Sequence, residues 1–307
     1  MPSAADSANA DAALMTLLQR VLRRPSPFYA SRLRHLGVNA AERAAQPDVA
    51  RQVWSALPMT SRQELLRDQL DHLPHGTLRP PDAAPPVRVG VTGSGDHLLV
   101  LAWSADDLAR ERAAGARLLA RLGITSGMRV ANTLAGALVT PGSLLLGDVV
   151  EEIGGLDVPL GVPETDAAAR QAWELIERVR PDVLILETDT APRLLAAAPV
   201  RARDWWSGIV WLQRSVRVDP PSVPDGTGFT GWQRAWLAVP EVSSFIAGTC
   251  AAANVHIDPA VHAEIVDDRL VLTALEAETP LLRYATELRA RAASAPCPCG
   301  TDGMILV

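Results

Sequence analysis

Lysine is absent from this sequence, because every one of its 29 Lys or Arg positions is an arginine. The absence excludes mechanisms that need a lysine amine, such as a Schiff base, pyridoxal phosphate chemistry or the lysine of a phosphate-binding loop. Arginine does not replace that amine, since its guanidinium stays protonated and delocalised. The net charge of −6 adds no electrostatic reason to expect a nucleic-acid partner or an acidic membrane.

Long apolar runs are also missing. No stretch reaches the roughly 20 apolar residues that span a bilayer, and the start, MPSAADSANADAAL, lacks the basic and hydrophobic segments of a secretory signal. The three cysteines are too few for a disulfide scaffold. We therefore expect a cytoplasmic protein without a membrane partner, and the sequence leaves its oligomeric state open.

Three regions differ in their apolar pattern. Residues 1–80 predict a helical N-terminal segment, because apolar residues recur at helical spacing in DAALMTLLQRVL, and the proline-rich residues 79–89 cannot continue a helix. Residues 87–240 alternate strand-like and helix-like stretches, which predicts an α/β core with a mainly parallel sheet flanked by helices. Residues 241–307 predict a small C-terminal β subdomain that begins with a hairpin-like pattern.

The order of these segments resembles the N-terminal domain of the phenylacetate-CoA ligase family, a branch of the adenylate-forming superfamily. The similar motifs are TPLLRYATEL followed by CPCG, the stretch SADDLARERAAGARLLARLGITSGMRV, and residues 140–154. The resemblance implies an adenylate-forming ligase fold and a function on acyl groups. The closing residues GTDGMILV are similar to the hinge before the family's lysine-bearing lid, so we expect the C-terminal lid domain to be absent.

The resembled family's phosphate-binding loop is altered here to VTGSGDH. Gly93, Ser94 and Gly95 still allow a tight turn that would bind substrate, but Asp96 would bring a carboxylate against phosphate charge. An ordinary glycine-rich turn is the alternative, and the family's adenine-binding segment has no equivalent. We therefore expect neither ATP nor Mg²⁺ to serve as a cofactor. His97 is a candidate catalytic acid or base beside this loop, or else an exposed turn histidine.

Glu241 lies in AVPE, where the family has the glutamate that helps to hold magnesium. The resemblance makes Glu241 a candidate catalytic base, and a helix-capping role is the alternative. In RYATEL the family's ribose-binding aspartate is replaced by Glu287. We predict Arg283 and Glu287 of this motif as substrate-binding residues.

Two acids lie where the family's helix lines the acyl pocket. The resemblance makes Asp148 a catalytic candidate and Glu151 a substrate-binding candidate, and a surface ion pair with an arginine such as Arg121 is the alternative. The family's aromatic pocket residues are mostly replaced by the small residues of LAGALVTPG. This replacement predicts a different or roomier ligand space and excludes phenylacetate as the substrate.

All three cysteines join one histidine in a pattern that suits tetrahedral zinc. Thiolate and imidazole ligands favour this metal, and some members of the resembled family carry cysteines and a histidine at these places. His262 or Asp302 could replace the histidine, and three thiols without a metal are the other interpretation. We predict a structural Zn²⁺ site made of Cys250, His256, Cys297 and Cys299.

The persistence of an acyl-binding scaffold alongside altered nucleotide motifs predicts the function. We expect ATP-independent handling of an activated acyl or aryl thioester, by transfer, cyclisation or condensation, with acyl-CoA or an acyl carrier protein as the partner and a place in specialised metabolism. A non-catalytic binding or scaffold subunit is one alternative. The other is residual carboxylate adenylation with a lid supplied by a separate protein.

Overall fold

The computed structural model describes residues 4–37, 47–93, 95–136, 141–199, 206–213, 229–301 and 303–306. Ser94 and the alternative ligand Asp302 lie outside the described residues. None of the described helices combines the length and the apolar character needed to cross a bilayer.

Helices make up the first part of the chain. Two of these helices begin after a capping serine, which is Ser26 for α2 and Ser61 for α4. Each serine side chain accepts a hydrogen bond from a backbone N–H of the first helical turn. Glu64 completes a capping box with Ser61. The bounds are α1 (Ala4–Arg23), α2 (Pro27–His35), α3 (Pro47–Ala56) and α4 (Arg62–Asp71).

An eight-stranded mixed sheet forms the centre, in the order β13-β9-β8-β7-β6-β5-β3-β4. The pairs from β4 to β7 are parallel, and those from β7 to β13 are antiparallel. The predicted α/β class is therefore confirmed, with the parallel pairing confined to one half of the sheet. The strands are β3 (Arg129–Asn132), β4 (Leu156–Pro159), β5 (Val183–Glu187), β6 (Gly208–Gln213), β7 (Trp232–Val239), β8 (Ser243–Thr249), β9 (Val255–Ile257) and β13 (Ile305–Leu306).

Helices cover both faces of the parallel half. Strand β5, VLILE, alternates between them: Val183 and Ile185 enter the core under α5 and α6, while Leu184 and Leu186 enter the core under α7 and α8. A strand buried on both faces reads as a continuous apolar run, which explains this segment. The helices are α5 (Ala105–Arg121), α6 (Pro141–Glu152), α7 (Asp166–Val179) and α8 (Ala191–Ala196).

Two small antiparallel sheets complete the described fold. A hairpin pairs β1 (Arg88–Thr92) with β2 (Leu99–Trp103) around the short 3₁₀ turn Gly95–His97. The second sheet consists of β10 (Val261–Val266), β11 (Arg269–Ala274) and β12 (Tyr284–Arg289). One hydrophobic core joins the N-terminal helices to this sheet, because residues of both belong to the same buried cluster.

Candidate functional site

An arginine fills the glycine-rich loop between β1 and β2. The Arg62 guanidinium donates to the carbonyl oxygens of Thr92 at 2.8 Å and His97 at 2.9 Å, and it forms an ion pair with Glu241. Gly93 makes this packing possible, because its φ is +83° and a Cβ there would lie 2.6 Å from Arg62 Nη2 and 2.4 Å from the His97 oxygen. The loop therefore closes around a cation.

This arrangement does not fit a magnesium nucleotide. A loop that binds phosphate presents backbone N–H groups to the anion, whereas Thr92 and His97 present carbonyl oxygens to Arg62. The Glu241 side chain is only 7% exposed, and the Arg62 guanidinium pairs with its Oε1. An arginine of the protein itself is therefore the positive partner of the Glu241 carboxylate.

A cavity of about 130 Å³ lies beside Glu241. It is bounded by α4, β2, the first turns of α5, the β7–β8 turn and the segments that follow β9 and β11. Its walls are largely apolar, as in most small-molecule sites. The apolar walls include Leu65, Leu99, Trp103, Val242, Val261 and Leu281.

Glu111 of α5 is the distinctive polar group of this cavity. Its Oε2 accepts a hydrogen bond from the Ser244 N–H at 3.0 Å, and the Ser243 hydroxyl also bonds to it. Burial raises the pKa of Glu111 to about 7, and the nearby carboxylates of Asp107 and Asp258 act in the same direction. A carboxyl group with this pKa exchanges a proton near neutral pH, as a general acid or base must.

The two neighbouring acids are held differently, because each has an arginine partner. Asp107 pairs with Arg110, and Asp258 accepts two bonds from Arg117, at 2.9 Å from Nε and 2.8 Å from Nη2. Burial opposes ionisation of Asp107, but the Glu278 N–H, Arg110 and the Ser104 N–H lower its pKa overall. Both acids are paired with an arginine, so Glu111 is the group suited to proton transfer.

The predicted metal ligands come together at the far edge of the sheet. Their four ligand atoms all lie within 4.8 Å of one another, with Cys250 and Cys297 sulfurs 3.5 Å apart and Cys299 Sγ 3.4 Å from His256 Nε2. Tetrahedral zinc with bonds of about 2.0–2.3 Å places its ligands roughly 3.5–3.8 Å apart. The cluster therefore fits a metal ion of that size.

Two of the cluster's sulfurs accept hydrogen bonds, while burial raises the pKa of the Cys250 thiol. Asn254 Nδ2 donates to Cys297 Sγ at 3.1 Å, and the Thr301 N–H donates to Cys299 Sγ at 3.4 Å. Burial opposes ionisation of Cys299, but the Thr301 donors and the neighbouring thiols lower its pKa to about 7. Arg121 of α5 adds positive charge nearby and approaches the His256 carbonyl at 3.4 Å. Ionised thiols are the form that binds metal.

The remaining predicted site residues do not meet at the cavity. The His97 side chain is exposed and contributes only its backbone oxygen to Arg62, and Asp148 and Glu151 are exposed on α6. Arg283 donates to the Leu57 carbonyl at 2.6 Å and pairs with Glu264. The rest, Gly95 in the turn and Glu287 on β12, are exposed. Of the predicted catalytic residues, the structure brings Glu241 to the cavity wall.

Sequence reasoning missed Arg62, Glu111 and Asp258. Glu111 had a usable signal, because it lies on the apolar face of α5, four residues after the buried Asp107 and seven before Leu118. A carboxylate on that face has to be either paired or functional. Arg62 had no such signal, since its partner Glu241 is 179 residues away in the chain.

No protein-family model and no curated protein matches the sequence. Among solved structures, the chain is similar to 2-hydroxyisobutyryl-CoA ligase in an open conformation with 2-HIB-AMP and CoA, at 16% identity and a TM-score of 0.81, covering 100% of this chain and 69% of that one. The same ligase in its thioesterification state matches at 17% identity and a TM-score of 0.81, covering 100% and 67%. The chain therefore has the fold of the larger part of an acyl-CoA ligase.

Proposed function

We propose that this protein, on a scaffold with the fold of an acyl-CoA ligase, acts without ATP on an acyl or aryl group already activated as a thioester. The main support for the proposal is the position of the Arg62 guanidinium. It forms an ion pair with Glu241 and donates hydrogen bonds to the carbonyl oxygens of the loop. A thioester needs no phosphoryl activation, so this loop arrangement is compatible with its chemistry. CoA or an acyl carrier protein would present the thioester.

Glu111 is the proposed general base. A nucleophile that attacks the thioester carbonyl loses a proton as the C–S bond breaks, and a carboxylate with a pKa of about 7 accepts that proton near neutral pH. Transfer, cyclisation and condensation share this requirement and differ only in the nucleophile. The ion-paired Glu241 is then a positioning residue that fixes the wall of the cavity.

We further propose that the Cys and His cluster holds structural zinc. Cys250, His256, Cys297 and Cys299 would use four protein ligands, which is the closed arrangement typical of structural sites. The motifs TPLLRYATEL and CPCG support placement near the phenylacetate-CoA ligases within the adenylate-forming superfamily. Specialised metabolism and the cytoplasm remain the predicted setting.

The experiment follows pyrophosphate release and thioester loss together, with a panel of aryl and alkyl acids, their CoA thioesters, ATP and Mg²⁺. We expect thioester loss without ATP. Glu111→Gln should slow that loss by about 100-fold or more, since a general base contributes that much. The matched control is Glu174→Gln, which removes an exposed glutamate of α7 and should leave the rate unchanged.

Each alternative has its own outcome. Pyrophosphate release that depends on an added acid would overturn the proposal and support adenylation, with a lid supplied by another protein. Absence of both signals, with a carrier protein or CoA still bound, would overturn it in favour of a binding or scaffold subunit. Equal thioester loss by wild type and Glu111→Gln would remove Glu111 from the mechanism.

A further inference from the structure

We infer that the cavity beside Glu111 binds a small primary amine in its ammonium form, and that this amine is the acceptor of the acyl group. The binding half of this inference stands on the cavity alone. The acceptor half rests on the proposed function. The binding half depends neither on the glycine-rich loop nor on the Cys and His cluster.

The acids that line the cavity differ in their ion pairing: Glu111 accepts hydrogen bonds from the Ser243 hydroxyl and the Ser244 N–H, but it has no arginine partner among the described residues. Asp107, Glu241 and Asp258 are each paired with an arginine, and Asp68 accepts from the N–H and hydroxyl of Thr77 at 2.6 Å each. These four are therefore neutralised or saturated by the protein. They shape the cavity without offering a charge to a ligand.

Two carboxylates remain for a ligand. Glu111 lies on the cavity side of α5, and Glu276 is exposed in the segment after β11. Neither forms an ion pair within the described ranges of the chain, although Arg117, the partner of Asp258, also acts electrostatically on Glu276. An ammonium group beside Glu111 would give this carboxylate a positive partner, and burial would strengthen that attraction.

The cavity's own cations do not supply this charge. Arg110 is committed to Asp107. Arg79 donates to the Ala84 and Ala102 carbonyl oxygens and to the Thr279 hydroxyl, so its hydrogen-bond donors are used within the protein. His75 also lines the cavity, and its Nδ1 is buried without a hydrogen-bond partner. The cavity therefore favours a ligand with a positively charged hydrogen-bond donor over an anionic ligand.

The walls of the cavity determine which group can be attached to the ligand's nitrogen. Leu99, Trp103 and Val261 surround the space with apolar surface, which suits a short alkyl or aryl group attached to the nitrogen. A volume of about 130 Å³ accommodates a ligand of several heavy atoms. A primary amine with a short apolar tail matches both the charge and the walls.

The acyl step balances with Glu111 as the proton acceptor. The Glu111 carboxylate takes one proton from the ammonium, and the free amine attacks the thioester carbonyl. A C–N bond forms, the C–S bond breaks, and the second nitrogen proton leaves with the thiolate as a thiol. The products are an amide, a thiol and protonated Glu111, which returns its proton to water.

Binding is tested first, by calorimetry with n-butylamine as the probe and with 1-butanol and butanoate as neutral and anionic analogues. We expect wild type to bind n-butylammonium and not butanoate, with an affinity that rises between pH 6 and pH 8 as Glu111 ionises. Glu111→Gln should weaken binding by about 10-fold or more, the size of a lost hydrogen bond to a charged group. Glu174→Gln should bind like wild type.

The contribution of His75 to the pH dependence of binding is tested with a variant of its own. Histidines change charge between pH 5 and pH 8, so His75→Gln is titrated as well and should keep most of the pH dependence. Should Glu111→Gln fail to fold, the pH dependence of wild-type binding decides the matter. No binding of n-butylamine at pH 8, or equal binding of butanoate, would overturn the inference.

The acceptor half is tested separately, by mass spectrometry of amide formation from n-butylamine and the thioester that the wild type consumes. Amide formation is the expected result. Amine binding without any thioester loss would defeat the proposed function while leaving the amine site intact. Thioester loss that gives only free acid, with amine bound, would overturn the acceptor role.

Discussion

At the scale of single residues, burial destabilises the ionised form of Glu111, and the hydrogen bonds from its neighbours do not fully compensate. Burial raises its pKa from 4.5 to about 7, and in the described part of the chain no arginine pairs with it as Arg117 does with Asp258. A carboxyl group with a pKa raised in this way beside a cavity is a candidate for function. Asp107, one turn earlier on the same face, lacks this property because Arg110 pairs with it.

The raised pKa of Glu111 leads to a prediction about the stability of the Glu111→Gln variant. The folded state holds the proton more tightly than the unfolded state, so the favourable contribution is present at low pH and is lost as pH rises from about 4.5 to about 7. The loss is on the order of 3 kcal/mol. We expect Glu111→Gln to unfold at a higher temperature than wild type at pH 8 and at a similar temperature at pH 5, measured by circular dichroism. A lower melting temperature at both pH values would contradict the assignment.

At the scale of elements, α5 links the two candidate sites. Ser104 and Asp107 form a buried capping box that fixes its start. Glu111 faces the cavity, Arg117 holds Asp258, and Arg121 reaches the segment that carries His256. One helix therefore sets the position of the cavity wall and of the metal-cluster edge.

The Cys and His cluster joins the C-terminal segment to β9 and to the turn after β8. Outside the cluster, the described part of the segment is held by the two-residue strand β13, which pairs Ile305 with His256, and by Leu306 in the main apolar core. We expect wild type to contain one zinc per chain by mass spectrometry and Cys297→Ser to contain none. A chelator should lower the melting temperature of wild type only.

The control for this prediction is Ser294→Ala, an exposed change in the same segment that should keep both zinc and stability. Wild type purified without zinc, and indifferent to both chelator and added zinc, would show that the cysteines serve as free thiols.

At the scale of the whole molecule, the first and last parts of the chain share one core. Leu18 of α1 is 1% exposed and Leu272 of β11 is fully buried, and both belong to the same apolar cluster. Cores of this kind unfold together, because neither part buries its apolar face without the other.

This shared core predicts how two leucine-to-alanine substitutions affect unfolding. Leu18→Ala and Leu272→Ala should each lower the free energy of unfolding by about 2–5 kcal/mol, the usual result of a core cavity. Both variants should show a single transition in urea by fluorescence and circular dichroism. Leu175→Ala, at a position 39% exposed, should change stability little. A transition lost in one variant and retained in the other would indicate two independent units.

The sequence alone determined the properties that short stretches of chain encode. Apolar periodicity indicated the α/β class, and the pattern of cysteines and histidine indicated a cluster of thiols and imidazole. The absence of lysine excluded a set of mechanisms by chemistry alone. These features are local or compositional, so no contact between distant residues was needed.

Only the tertiary structure decided which distant groups meet. It brought Arg62 to Glu241 and into the loop around Gly93, and it placed Glu111 among Ser243, Ser244 and the acids of the cavity. It also separated Asp148, Glu151 and Glu287 from that cavity. Charge pairing and the pKa of a carboxyl depend on neighbours that packing supplies from far along the chain, so local patterns do not encode them.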